Sequence, residues 1–264
     1  MKPPLYILGT GRSGTTLVFD LLARHPALAY TCYDFNAGNP GSRGRYPVAE
    51  PYDFWRRMYP GFPRPCRDLI ADDVPASLPG KVQEAFAGQC ESIGRNRLLT
   101  KWTGWSRISF MEAVTPGAQY LHVSRDARAV AASLLTVPWW QGWQGPEQWR
   151  WGPLTDDEQA TWEKTGRSFF VLAGLQWRRL VRNIREHGRP LIAEGRFQTI
   201  YYEALISDPV KTMREIERWA GLPESDEWLA YVRSVPMKRG TNDRWRDELP
   251  VAEIERFNRV FGYR

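Results

Sequence analysis

Two sets of residues in this sequence have the types and spacing to act on a phosphate-like anion. The first is the run Gly9, Thr10, Gly11, Arg12, Ser13, Gly14, Thr15, Thr16. It fits the frame G-x-x-x-x-G, in which glycines let backbone N–H groups converge on a phosphate and a following helix adds the positive end of its dipole. A triphosphate loop of this frame carries a lysine directly after the second glycine, reaching the β- and γ-phosphates. Here Thr15 occupies that place, and Arg12 is the nearest cation. The second set consists of strand-end cations. "RLLTK" (97–101) reads as a strand ending in Lys101, and "AQYLHVSRD" (118–126) as one ending in Arg125. An arginine above a crevice at a strand's carboxyl end asks for an anion rather than a metal. Asp126, between Arg125 and Arg128, suits the ordering of a turn better than the Mg²⁺ ligation of a nucleoside triphosphatase. Several cations aimed at one crevice, with no clear metal carboxylate, fit a nucleotide handled without Mg²⁺.

The elements that must hold these groups follow from the apolar pattern. "PLYILGT" (4–10) is a short apolar run ended by glycines, the signature of a buried parallel strand. "TTLVFDLLARHP" (15–26) has helical spacing and a proline stop. Further helices are expected at 81–94, 127–135, about 157–187, 208–223 and 250–260, and a fourth strand at 197–205. Strands alternating with helices predict an α/β domain with a parallel sheet covered on both faces. Ligands in such sheets sit at the carboxyl ends of the strands. The 264 residues fit one domain, 1–264, with irregular excursions at 36–66 and 138–154.

Composition narrows the chemistry. The net charge is +6, and only 6 of the 36 basic residues are lysines. Arginine's planar fork suits bidentate contact with phosphate or sulfate. The three cysteines, Cys32, Cys66 and Cys90, have no C-x-x-C spacing, so neither a disulfide framework nor a zinc site is indicated. No apolar stretch approaches the length of a membrane span, and "MKPPLYILG" lacks the apolar core of a signal peptide. The expectation is a cytoplasmic enzyme.

Taken together, "GTGRSGTTLVFDLLARHP", "YLHVSRDARAVAASLL" and "YYEALISDPVKTMREIERWAGLP" resemble the signatures of sulfotransferases that use 3′-phosphoadenosine 5′-phosphosulfate (PAPS). The arginine in the loop resembles the branch of bacterial and tyrosylprotein sulfotransferases. The resemblance implies a P-loop nucleoside-triphosphatase-like fold and release of adenosine 3′,5′-bisphosphate (PAP), without a metal. It implies that Gly11, Arg12, Ser13, Gly14, Thr15 and Thr16 hold the 5′-phosphosulfate and that Arg125 and Ser133 grip the 3′-phosphate. Tyr202 would lie near the adenine, and Lys238, Arg239 and Gly240 would form a late basic loop closing over the 3′-phosphate. Arg12 and Lys101 would stabilise charge during transfer. The family's base is a glutamate about twenty residues after the loop arginine. That region here reads "AYTCYDFNAG", so Asp34 is the nearest carboxylate, with Glu50 and Asp53 in reserve.

His25 is read as a cap of the first helix and His122 as a core histidine. The segment 138–154 holds five tryptophans, Trp139, Trp140, Trp143, Trp149 and Trp151. It reads either as an acceptor wall, since aromatic faces stack on sugars, rings or lipid tails, or as an aromatic mini-core. The expected acceptor is a hydroxyl of a small molecule, carbohydrate or lipid rather than a protein, and no nucleic-acid partner is expected. The rivals are a Mg²⁺-dependent nucleotide kinase, which needs the absent loop lysine, and a polyanion or nucleic-acid binding module, which does not need the loop.

Overall fold

The computed structural model describes residues 1–30, 55, 58–59, 67–145, 151–237, 240 and 242–263. Five strands, β1 (Lys2–Gly9), β2 (Ala29–Tyr30), β3 (Arg97–Thr103), β4 (Gln119–Ser124) and β5 (Phe197–Tyr201), form one sheet in the order β2-β3-β1-β4-β5. Every pairing is parallel, and Gly9 stands opposite Thr103 on one side and Val123 on the other. The last six residues of β1 are all buried, which is why the strand reads as a continuous apolar run instead of an alternating one.

Besides two short 3-10 turns, Ala71–Asp73 and Gly142–Gln144, eleven α-helices have defined ranges among the described residues. They are α1 (Thr15–Leu22), α2 (Leu78–Ile93), α3 (Ile108–Val114), α4 (Ala127–Leu135), α5 (Asp156–Lys164), α6 (Phe169–Ile192), α7 (Tyr202–Ser207), α8 (Pro209–Trp219), α9 (Asp226–Ser234), α10 (Trp245–Glu248) and α11 (Val251–Phe261). Leu5 and Ile7 of β1 join α1, α8 and α9 in one core. Tyr6 and Leu8, pointing the other way, join α2, α3 and α6 in a second core. A third core ties α4 to α6, α11 and the tryptophan segment. α1 and α4 therefore leave neighbouring strands toward opposite faces. The carboxyl ends of β1 and β4 flank the crevice where the strand order reverses, the place where ligands enter sheets of this kind.

The element boundaries differ from the sequence reading in several places. β3 runs on to Thr103, so Lys101 lies within the strand rather than at its end. The helix expected at about 157–187 is two. Gly166 and Arg167 turn through the left-handed region, and the Ser168 hydroxyl caps α6 by accepting the Val171 N–H. The strand expected at 197–205 stops at Tyr201, where its pairing with β4 ends at Ser124, and Tyr202 begins a helix. β2, α3, α9 and α10 are additional elements. No helix of the described residues is long and apolar enough to cross a membrane.

Candidate functional site

The loop between β1 and α1 is tightly built. The Ser13 N–H donates to the Thr10 carbonyl at 3.2 Å. Arg12 adopts φ 69° and Gly14 φ 96°. A Cβ on Gly14 would lie 2.4 Å from Cδ2 of Tyr202, so the tyrosine ring rests on the loop where only glycine leaves room. Thr10 Oγ1 and Ser13 Oγ are buried without a hydrogen-bond partner among the described residues. Buried hydroxyls normally have a hydrogen-bond partner, so these two can serve a ligand on the loop.

Three further elements close on this loop. The Arg12 Nε donates to Ser133 Oγ on α4 at 2.9 Å. Arg125, following β4, donates from one terminal nitrogen to the Arg12 carbonyl at 3.0 Å and from Nε to Asn242 Oδ1 at 2.9 Å. Its guanidinium carbon stands 4.4 Å from the Tyr202 ring centroid. Burial draws the Arg125 guanidinium down from its usual range, while Tyr202 and Glu203 oppose the shift. These groups line a cavity of about 620 Å³, with Arg12, Arg125, Ser133, Tyr202, Arg244 and Trp245 on its walls. That volume lies within the range of small-molecule sites. Three guanidinium groups, a hydroxyl and two aromatic side chains suit a polyanion that carries a planar group.

Arg12, Arg125, Ser133 and Tyr202 thus meet at one cavity, although more than a hundred residues separate the first from the second. Gly11, Ser13, Gly14, Thr15 and Thr16 form the adjoining loop and first helical turn. Lys101 approaches from β3: it is 1% exposed, and its Nζ donates to Thr16 Oγ1 at 3.0 Å. One turn further along α1, burial pushes the Asp20 carboxyl up to about 6, with Lys101 and Arg24 pulling it back. Gly240 turns with φ 83° and is not on the cavity wall. Lys238, Arg239, Asp34, Glu50 and Asp53 lie outside the described residues.

Asp126 orders its turn, accepting the Arg128 and Ala129 N–H groups at the start of α4. His122 is a core residue beside Thr199 Oγ1, its imidazole pushed down to about 3 chiefly by burial. His25 does not cap α1. Its Nδ1 accepts the Ala27 N–H and its Nε2 lies 3.3 Å from Glu217 Oε1, which ties the turn after α1 to α8. Burial lowers its imidazole as well.

The tryptophans divide their duties. Trp140 and Trp151 are buried, and Trp140 Nε1 donates to Gln176 Oε1 at 2.7 Å. Trp139 lies against Gly11 and Trp151 against Gly104, with no room for a Cβ at either glycine. Trp143 is 59% exposed, and Trp149 lies outside the described residues. The sequence reading missed Asn242, Arg244, Trp245 and Glu248, of which the last three line the cavity. The available signal was a tryptophan beside an arginine in an otherwise polar tail.

Comparison with known proteins adds a family. The family model described as "Sulfotransferase family" matches residues 3–226. The fold is similar to the sulfotransferase domain from the curacin biosynthetic pathway (TM-score 0.57, 14% identity, 100% of this chain and 99% of that one). It is also similar to the sulfotransferase domain of the Synechococcus PCC 7002 olefin synthase (TM-score 0.55, 19% identity, 100% and 95%). A third similar structure is mouse sulfotransferase SULT7A1 complexed with PAP (TM-score 0.51, 11% identity, 99% and 84%). Among curated proteins, none matches the sequence.

Proposed function

Because the chain belongs to the sulfotransferase family, we propose that it moves a sulfuryl group from PAPS to an acceptor hydroxyl by in-line displacement, releasing PAP. The observation that carries this reading is the meeting of Arg12, Arg125, Ser133 and Tyr202 on one cavity beside a glycine loop with unsatisfied buried hydroxyls. The mouse structure of the same fold was solved with PAP, which supports the same donor here.

In this reading the loop amides from Gly11 to Thr16, with the N-terminus of α1, hold the 5′ end of the donor. Arg125 and Ser133 grip the 3′-phosphate, joined by Arg244, while Tyr202 and Trp245 flank the adenine. Lys238, Arg239 and Gly240 complete the 3′-phosphate side. When bound, PAPS supplies the sulfuryl group and a phosphate leaving group. Arg12 steadies charge on the transferring oxygens, and Lys101 supports it from behind Thr16. Because these side chains supply the positive charge, the reading assigns no metal. Asp34 is the assigned base, with Glu50 and Asp53 next in line. The acceptor is a small molecule, glycan or lipid, met on the side where Trp139 covers the loop.

A thermal-shift comparison tests the donor. PAP without Mg²⁺ is expected to raise the melting temperature, since a ligand at a thousand times its Kd stabilises by about 4 kcal/mol. ATP without Mg²⁺ and oligonucleotides should leave it unchanged. Stabilisation by ATP with Mg²⁺ alone would transfer the reading to a kinase.

A further inference from the structure

Arg128 is not on the cavity wall, yet its contacts reach the elements that form that wall. It sits on the first turn of α4, three residues after Arg125. Its Nε and one terminal nitrogen donate to the two carboxylate oxygens of Asp126 at 3.1 and 2.8 Å, and its own N–H donates to the same side chain at 2.8 Å. So held, its guanidinium carbon stands 4.5 Å from the Trp245 ring centroid and 4.2 Å from that of Tyr263. Arg246 also stacks on Trp245, at 4.5 Å. Asp126 in turn donates its N–H to Glu203 Oε1 at 2.9 Å, which ties this turn to the helix that begins with Tyr202.

The element served by these contacts is α10. It has four residues, Trp245–Glu248, too few to be stable without tertiary support. Nevertheless Trp245 is 3% exposed, and the segment brings Arg244, Trp245 and Glu248 to the cavity wall. Arg244 is itself oriented by Glu248, 2.6 Å away.

We propose that Arg128 is a positioning residue for the donor cavity, clamping Trp245, and through it Arg244, onto the turn that carries Arg125. The clamp rests on the donor reading given above. Its mechanism is distinct, because the residue acts through the wall and not on the ligand. A cation stacked on two aromatic rings and fixed by a carboxylate is well suited to this, since each contact limits where the others can go.

A double-mutant cycle on PAP binding, measured by calorimetry at one salt concentration, tests it. Arg128→Met and Arg244→Ala are each expected to weaken PAP by about 10-fold. If Arg128 works through Arg244, the double variant loses little beyond the weaker single one, not the roughly 100-fold of independent sites. Arg128→Lys keeps a cation over the rings but loses the fork on Asp126. It should show a milder loss of a few-fold, and it carries the same cycle should Arg128→Met fail to fold. Wild-type affinity in the folded Arg128 variants overturns the clamp, as does a fully multiplicative double variant. Failure of the wild-type chain to bind PAP overturns the donor reading itself, and the clamp with it.

Discussion

Replacing Arg125 by alanine should separate the two ends of the donor. In the structure this side chain joins three parts of the site. It stacks on Tyr202 at 4.4 Å, donates to the Arg12 carbonyl and donates to Asn242. Its assigned partner is the 3′-phosphate. A hydrogen bond to a charged group contributes about 1.5–3 kcal/mol, or about 10- to 150-fold in affinity. PAP should therefore bind about 100-fold more weakly to Arg125→Ala. Adenosine 5′-phosphosulfate, which lacks the 3′-phosphate, loses only what the loop and the tyrosine lose. A cation–π contact of about 0.5–1 kcal/mol sets that loss at roughly 3-fold. Calorimetry with both ligands at one ionic strength reads the difference, because screening changes phosphate affinities on its own. Equal losses for the two ligands would place the 3′-phosphate elsewhere, and an unchanged PAP affinity would remove Arg125 from the site.

Two further outcomes follow from local geometry. Gly14→Ala puts a Cβ 2.4 Å from the Tyr202 ring at a backbone φ of 96°; left-handed backbone costs about 1–2 kcal/mol for an L-residue, so the urea midpoint should fall by at least that equivalent, and an unchanged midpoint contradicts the packing. Asp20 gives a pH signature. Its folded carboxyl is raised from 3.8 to about 6, so the folded state binds protons more readily than the unfolded one. Its contribution to stability is full below about 4 and is lost as pH rises to about 6. Asp20→Asn should therefore gain stability relative to the parent across that window and level off above it. The gain is about 1 kcal/mol once solvent screening of this partly buried group is allowed for. Urea titrations at pH 4.5 and 7 check it, and a pH-independent difference rules it out.

Much of the candidate site could be read from the chain because its parts follow local rules. A fully buried parallel strand writes itself as an apolar run, and the glycine frame after it marks a loop that approaches an anion, as β1 and residues 9–16 do. Arg125 stood out because it follows such a strand directly. Tyr202 was assigned to the correct end of β5 but to the wrong element. A strand stops where its neighbour stops, and no local signal marks the end of β4 at Ser124. Arg244 and Trp245 escaped for a related reason. α10 is a single turn fixed by Arg128 from more than a hundred residues away, so its place depends on tertiary contacts rather than propensity. His25 looked like a helix stop because it precedes proline, whereas its partner Glu217 sits on a distant helix.

The hydrogen bond from Arg125 to the carbonyl of Arg12 has a consequence of its own. In the proposed donor reading it makes the two phosphate grips parts of one gauge, with the distance between them set by the protein. A donor of the right length would meet both grips with that hydrogen bond intact. A shorter or longer one must break the bond that calibrates them. Discrimination among nucleotides would then depend on span as much as on charge, and the acceptor side could diverge freely without disturbing that measure.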